Sequence, residues 1–324
     1  MAETTYIGAI NGALAAELRR DATVRILGED VAEGGPFGAT KDLAAEFGDR
    51  VRDTPISEST VMGIATGMAL AGLRPVVEIM FIDFITLAFD QLVNQAAKAR
   101  YMSGGQLRCP LVVRTSSGAG TRSGAQHSQS LEALLVHVPG LAVAMPATAA
   151  DAAGLLMSAV RADDPVVVIE NKELYFRKEP SFDPAPVPLG SALVRRPGRD
   201  VTLVATSRTV HEALAAAEDL ARDGIEVEVI DPRTLQPLDL GTILSSVRRT
   251  HRCVVAHEAV RRGGFGAELA SLVQEEAFDA LDAPVVRLGA PATPVPVSPP
   301  LEDAYLVRAP QIVSAIRSLL NGSA

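Results

Sequence analysis

Two hydrophobic rhythms alternate along this chain. The stretch Tyr6–Arg20, YIGAINGALAAELRR, sets Ile7, Ile10, Leu14 and Leu18 three or four residues apart, which is the spacing of one helical face. TVRILG, PVVEIMF, PLVVRTS, LAVAMP and DPVVVIE are short β-branched runs and predict strands. Between them the helical period returns in FITLAFDQLVNQAAKARYM, read as one helix stopped by Gly104 and Gly105, and in AADAAGLLMSAVRA. Strands that are apolar on both faces, alternating with helices, predict a parallel sheet covered on both sides.

The rhythm breaks at EPSFDPAPVPLG, where Pro180, Pro184, Pro186 and Pro188 suit an extended linker. It then restarts with DVTLVATS, TVHEALAAAEDLARDG, IEVEVID, LDLGTILSSVRRT, RCVVAHE, GAELASLVQEEAF and APVVRLG, and ends in a helix over Ala309–Leu320. The fold class predicted is therefore α/β, with two doubly wound domains at 1–178 and 191–324 and a proline-rich linker at 179–190.

Composition agrees with two cores, since 324 residues exceed what one core usually serves and 48% of them are hydrophobic. A net charge of −9 argues against nucleic acid or an anionic membrane as main partner. Cys109 and Cys253 are the two cysteines, too few for a disulfide framework and consistent with a reducing compartment. MAETTYIGAI lacks the basic and apolar regions of a signal peptide. The uncharged run Ser59–Leu73 is shorter than the ~20 residues of a membrane span. A soluble, cytoplasmic protein is expected.

Candidate chemistry begins at DTPISE, where Glu58 stands at the mouth of VMGIATGMALAGL, a segment without charge until Arg74. Capping by Ser57 or Asp53, with an acid favoured by the helix dipole, is the plain structural explanation. In the same helix Gly63, Gly67 and Ala71 recur every four residues and admit a close neighbour, within the domain or across a subunit interface. In SGAGTRSGAQHSQS, Gly118 and Gly120 begin a dinucleotide-like pattern, but Ser123 occupies the third glycine position and Gly124 comes one residue late. The loop is read instead as a flexible wall that delivers His127, which sits among Gln126, Ser128 and Gln129. The five histidines and two cysteines show no zinc spacing, and neither a GxSxG elbow nor a phosphate loop occurs. An enzyme built on this chain depends on an organic cofactor or a partner chain.

GEDV (28–31), DTPISE (53–58), GLRPVVEIMFIDF (72–84), FDQLVNQAAKARYMSGG (89–105), AQHSQS (125–130), HVPGLAVAMP (137–146), DPVVVIENKELY (164–175) and PVPVSPPLEDAYL (294–306) occur in this order. Together they resemble the β subunit of the thiamine-diphosphate-dependent 2-oxo acid dehydrogenases, over nearly the whole chain. The wording is nearer to pyruvate and acetoin enzymes than to branched-chain ones. The resemblance implies a pyrimidine-binding transketolase-like domain followed by a transketolase C-terminal-like domain.

It also implies roles for particular residues. Glu58 matches the glutamate that hydrogen-bonds the aminopyrimidine ring nitrogen and promotes its imino tautomer, which removes the thiazolium C2 proton. Met80 and Phe84 match positions that contact the pyrimidine ring, a fitting use of apolar and aromatic side chains. Leu87 stands where the family often has Gln, so a polar contact is lost there. His127 matches the histidine that assists acyl transfer to lipoate. Backbone oxygens of Leu111, Ala159, Val160, Ala162 and Asp164 match a potassium site. No GDG…N sequence for Mg²⁺ and the diphosphate is present, so an α subunit is expected to supply that half of the site in an α2β2 heterotetramer, with a lipoyl acyltransferase as further partner. The competing readings are half of a split transketolase-like enzyme that transfers two-carbon units, and a non-catalytic assembly subunit.

Overall fold

In a computed structural model that describes residues 3–322, the chain divides into two compact units. One runs to Ser117 and resumes at Leu134–Leu189; the other is Gly118–Ala133 together with Gly190 onward. The chain therefore lends a sixteen-residue segment, the His127 loop, from the midst of the first unit to the second.

The first unit is built on β1 (Val24–Gly28), β2 (Val51–Asp53), β3 (Arg74–Phe81), β4 (Val112–Ser117), β5 (Ala142–Ala144) and β6 (Val166–Asn171). These strands lie in the order β5-β6-β4-β3-β1-β2 and pair in parallel throughout. Helices α1 (Tyr6–Arg20), α2 (Glu58–Leu70) and α3 (Ala149–Arg161) accompany the sheet. Thr5 caps α1 by accepting from the Gly8 N–H at 3.1 Å. The apolar stripe Ile7, Ile10, Leu14 and Leu18 is buried with Leu155 and Leu156 of α3 and with Val24, Val76 and Val166 of the sheet. Each such side chain contributes ~1.5–3 kcal/mol through burial. The segment expected as one helix from Phe84 is broken: a 3₁₀ turn (Ile82–Thr86), a π turn (Gln91–Gln95), a second 3₁₀ turn (Ala96–Lys98) and a short helix (Ala99–Met102) replace it. The backbone of Gly140 presses in at this point, so closely that a Cβ there would stand 2.0 Å from the Ala97 oxygen. Apolar periodicity registers the buried face, but not a backbone segment that packs against it from further along the sequence.

The proline-rich segment is extended, as its composition predicts, and it is docked as well. The Val187 N–H donates to the Gly154 oxygen of α3 at 3.0 Å. Gly154 leaves room for it, since a Cβ there would lie 2.5 Å from a Val187 methyl.

In the second unit, β7 (Leu193–Arg196), β8 (Val201–Ala205), β9 (Val227–Asp231), β10 (Cys253–Val260) and β11 (Val286–Ala290) lie in the order β11-β10-β8-β9-β7. All pairs are parallel except β7 with β9. Helices α4 (Thr209–Ala221), α5 (Leu240–Thr250), α6 (Phe265–Ala277) and α7 (Ala309–Leu320) complete it. Among the described residues no helix is long and apolar enough to cross a membrane.

Candidate active site

In a parallel sheet, ligands collect at the carboxyl ends of the strands where the strand order reverses. Here the chain moves from β1 outward to β2, then returns to the other side of β1 to lay down β3 and continues away from it. The switch point lies between β1 and β3. Gly28 is in register with both Asp53 and Glu78, so Glu29, the residues after Asp53, and Met80 all follow at this same edge.

Glu58 reaches that edge as the first residue of α2, half-buried. The capping explanation fails for both proposed side chains. Ser57 occupies the N-cap position, yet its hydroxyl meets Thr60 Oγ1 at 2.8 Å and caps no backbone N–H. Asp53 accepts from the Ala32 N–H at 2.7 Å. Among the described residues, none donates a hydrogen bond to the Glu58 carboxylate. Its charge is felt by Glu29, whose carboxyl is raised above the ordinary range chiefly by burial and then by Glu58. Glu29 and Glu58 thus bring two acids to the switch point, and burial and the neighbouring charge favour the protonated form of Glu29.

Met80 and Phe84 are half-buried at the end of β3 and in the turn beyond it. Phe84 stands edge-on to Phe81 at 6.0 Å, and Phe81 edge-on to Phe37 at 5.9 Å, which gives this edge an aromatic wall. The Lys172 ammonium lies 5.4 Å from the Phe81 ring. Leu87, just beyond that turn, is 59% exposed. An aminopyrimidine fits what is present: an apolar and aromatic wall for its faces, and an unengaged carboxylate for its ring nitrogen.

The structure puts His127 in the second unit, half-buried, with its N–H 3.4 Å from the Gly124 oxygen. Its loop leaves the carboxyl end of β4 and is not the loose wall expected from its glycines. Gly118, Gly120, Arg122 and Gly124 all have positive φ, and the turns so formed aim N–H groups at two carboxylates. Ala119 N–H donates to Glu258 at 2.7 Å and Gly120 N–H to Glu302 at 2.8 Å.

Four of the five backbone oxygens that the resemblance assigns to potassium have partners within the first unit. Those of Val160 and Ala162 converge on Arg74 Nη1, at 3.0 and 2.7 Å. The Leu111 oxygen accepts from Val166 N–H at 2.9 Å and the Ala159 oxygen from Ala162 N–H at 3.1 Å. Asp164 pairs through its side chain with Arg100. The end of α3 therefore does attract positive charge, as a helix C-terminus should, and the guanidinium of Arg74 serves it. Among the described residues, no group of three or more His, Cys, Asp or Glu is placed to hold a metal ion.

Sequence reasoning missed the charged cluster directly beneath this edge. Arg114 of β4 donates through Nε and Nη2 to both oxygens of Glu170 at 2.7 and 2.8 Å, and through Nη1 to Glu78 at 2.5 Å. The Tyr175 hydroxyl also donates to Glu170, at 2.9 Å. A signal existed: Glu78 in PVVEIMF, Arg114 in PLVVRTS and Glu170 in PVVVIE are each the one charged residue of a run meant for burial, and a buried charge needs a partner.

Comparison with known proteins now gives this architecture its class. Residues 2–178 match the transketolase pyrimidine-binding domain and residues 190–312 the transketolase C-terminal domain. The chain is 46% identical over 326 residues to the acetoin:2,6-dichlorophenolindophenol oxidoreductase subunit beta of Cupriavidus necator, covering 97% of this chain and 96% of that one. It is 42% identical to the pyruvate dehydrogenase E1 component subunit beta of Staphylococcus epidermidis (strain ATCC 12228), covering 99% of both. Among solved structures, a split-gene transketolase in an inactive β4 tetramer matches with a TM-score of 0.81 at 26% identity, over 98% of each chain. The chain belongs to the transketolase-like family of acetoin and pyruvate dehydrogenase E1 β subunits, a thiamine-diphosphate-dependent family.

Proposed function

We propose that this chain is the β subunit of an acetoin or pyruvate-type 2-oxo acid dehydrogenase, active with an α subunit in an α2β2 assembly. The observation that supports it is Glu58, an unengaged carboxylate beside an aromatic wall at the switch point, in a chain so similar to such subunits along its whole length. Thiamine diphosphate, when bound, supplies a thiazolium that accepts the electron pair released as the substrate C–C bond breaks. Glu58 holds and moves the proton at the pyrimidine ring nitrogen, and Met80 and Phe84 pack against the ring. His127 serves the later transfer of the acyl group to a lipoyl group of an acyltransferase partner. The diphosphate and its Mg²⁺ are assigned to the α subunit. Potassium has no part in this reading, because the Arg74 guanidinium already engages the Val160 and Ala162 oxygens. Split transketolase activity is the weaker reading, because the split-gene transketolase relative shares only 26% of its residues.

The test is co-expression with the α subunit and assay of acetoin and of pyruvate with dichlorophenolindophenol as electron acceptor. Glu58→Gln should lower turnover by ~10²–10⁴, the usual worth of acid–base assistance. Assembly and melting should stay close to wild type, because losing a first-turn charge costs only about 0.3–1 kcal/mol. Wild-type turnover in the variant would sink this reading. The isolated chain should show no turnover with either substrate.

A further inference from the structure

Arg122 is the one non-glycine residue with positive φ in the His127 loop, at 60°. Its conformation is held from three sides, all within the second unit. Its N–H and that of Gly120 both meet the Glu302 carboxylate, Gly120 at 2.8 Å and Arg122 at 3.2 and 3.3 Å to the two oxygens. Its guanidinium pairs with Glu302 at 2.6 Å and Asp303 at 2.7 Å, and donates to the Pro299 oxygen at 3.1 Å. Glu302 is fully buried in the short helix Pro299–Tyr305. Beside Gly120 in the loop, the Ala119 N–H donates to Glu258 of β10, which is itself paired with Arg208 at 3.3 Å. Alternating positive-φ residues turn successive N–H groups to one side, a concavity that binds anions. In this chain the anion is the protein's own carboxylate.

We propose that Glu302 is a positioning residue for His127: by filling the concavity formed by Gly120 and Arg122 it fixes the loop from which the histidine is presented. A buried carboxylate that accepts two backbone N–H groups and a guanidinium is costly to disengage. Glycines at 118, 120 and 124 make the segment soft wherever it is not held. Only four residues separate Arg122 from His127, so freedom at the clamp becomes freedom at the imidazole. The proposal rests on the reading that His127 serves acyl transfer.

The experiment uses the complex co-expressed with its α subunit, as wild type, Glu302→Gln and Arg122→Ala. Gln cannot form the ion pair, and Ala keeps the left-handed backbone while removing the guanidinium that holds it. Hydrogen–deuterium exchange of peptides spanning 118–128 should be at least ten-fold faster in Glu302→Gln and several-fold faster in Arg122→Ala. Lipoyl acylation should fall at least ten-fold more than dye reduction does in Glu302→Gln. If that variant does not fold, Arg122→Ala must show the same imbalance to a smaller degree. Unchanged exchange in the folded variants overturns the clamp, whatever the activities do. Faster exchange with an unchanged ratio of the two activities overturns the positioning role. A wild-type complex that reduces dye but acylates no lipoyl group overturns the underlying reading instead, and exchange alone then judges the clamp.

Discussion

The two units each bury acidic side chains, and they treat them differently. In the first, Glu78, Arg114 and Glu170 stand on the adjacent strands β3, β4 and β6, with Glu78 directly in register with Arg114. Every guanidinium edge facing a carboxylate is used, and Arg114 is 2% exposed. Burial still raises Glu78 above the ordinary carboxyl range, although Arg114 pulls it down. In the second unit, Glu132 is buried without such a partner: its Oε2 meets no donor among the described residues, and burial, with the nearby charge of Glu258, pushes it up to about 7. His257 of β10 is buried too and is lowered to about 4, first by burial and then by the charge of Arg287. One arrangement balances charge by geometry. Glu132 and His257 leave the balance to protons, so the pH dependence of the second unit should run through these two residues.

The largest expected effect breaks the balanced cluster. Arg114→Met strands two buried carboxylates and should cost ~3–5 kcal/mol, read as a loss of denaturant midpoint at pH 7. Glu78→Gln and Glu170→Gln added to it should restore most of that loss. A single variant as stable as wild type would mean that the cluster was never charged.

The next effect sharpens the contrast through pH. The folded pKa of Glu132 lies above its unfolded value, so its stabilisation is complete below about 4.5 and is lost as pH rises through about 7. His257 is depressed and runs the other way, with stability present above about 6.5 and lost as pH falls towards about 4. Between these limits the slopes oppose each other, and the wild type should be nearly flat from pH 5 to 6.5. Glu132→Gln removes one slope, and its stability should fall on acidification, by on the order of 3 kcal/mol over the whole range. Parallel curves for variant and wild type would contradict this.

Smaller effects follow from packing and from the surface. Gly154→Ala forces a methyl against Val187 and the Ala185 oxygen, and overpacking of this kind costs ~1–3 kcal/mol in thermal melting. Arg19→Ala removes an exposed bidentate pair with Glu46. Its midpoint should be indistinguishable from wild type, because exposed pairs are screened and mobile.

Much of this was legible in the sequence, and the reasons differ from residue to residue. Ile7, Ile10, Leu14 and Leu18 announced their helix because a fixed period and a cap at Thr5 act locally. Strands β3, β4 and β6 were legible from β-branched runs, whereas β2 (VRD) and β7 (LVRR) are short and carry no such run. Glu58 was conspicuous because a charge before fifteen uncharged residues is rare enough to question. Glu29 was not, since its importance comes from the switch point, which exists only after strands distant in sequence have paired. Glu302 was hidden for the same reason: its partners, Gly120 and Arg122, lie some 180 residues earlier.

The loan of Gly118–Ala133 to the second unit has a consequence for dividing or recombining genes of this kind. The sequence reads as two consecutive cassettes with a proline-rich joint, and a cut after Leu189 looks harmless. Such a cut would leave the N–H groups of Ala119, Gly120 and Arg122 without their acceptors, and would leave Glu258 and Glu302 buried without those donors. A chimaera that exchanges the C-terminal half with that of a relative must therefore carry residues 118–133 with it. The heritable module is discontinuous, and its seam lies in the loop that bears His127.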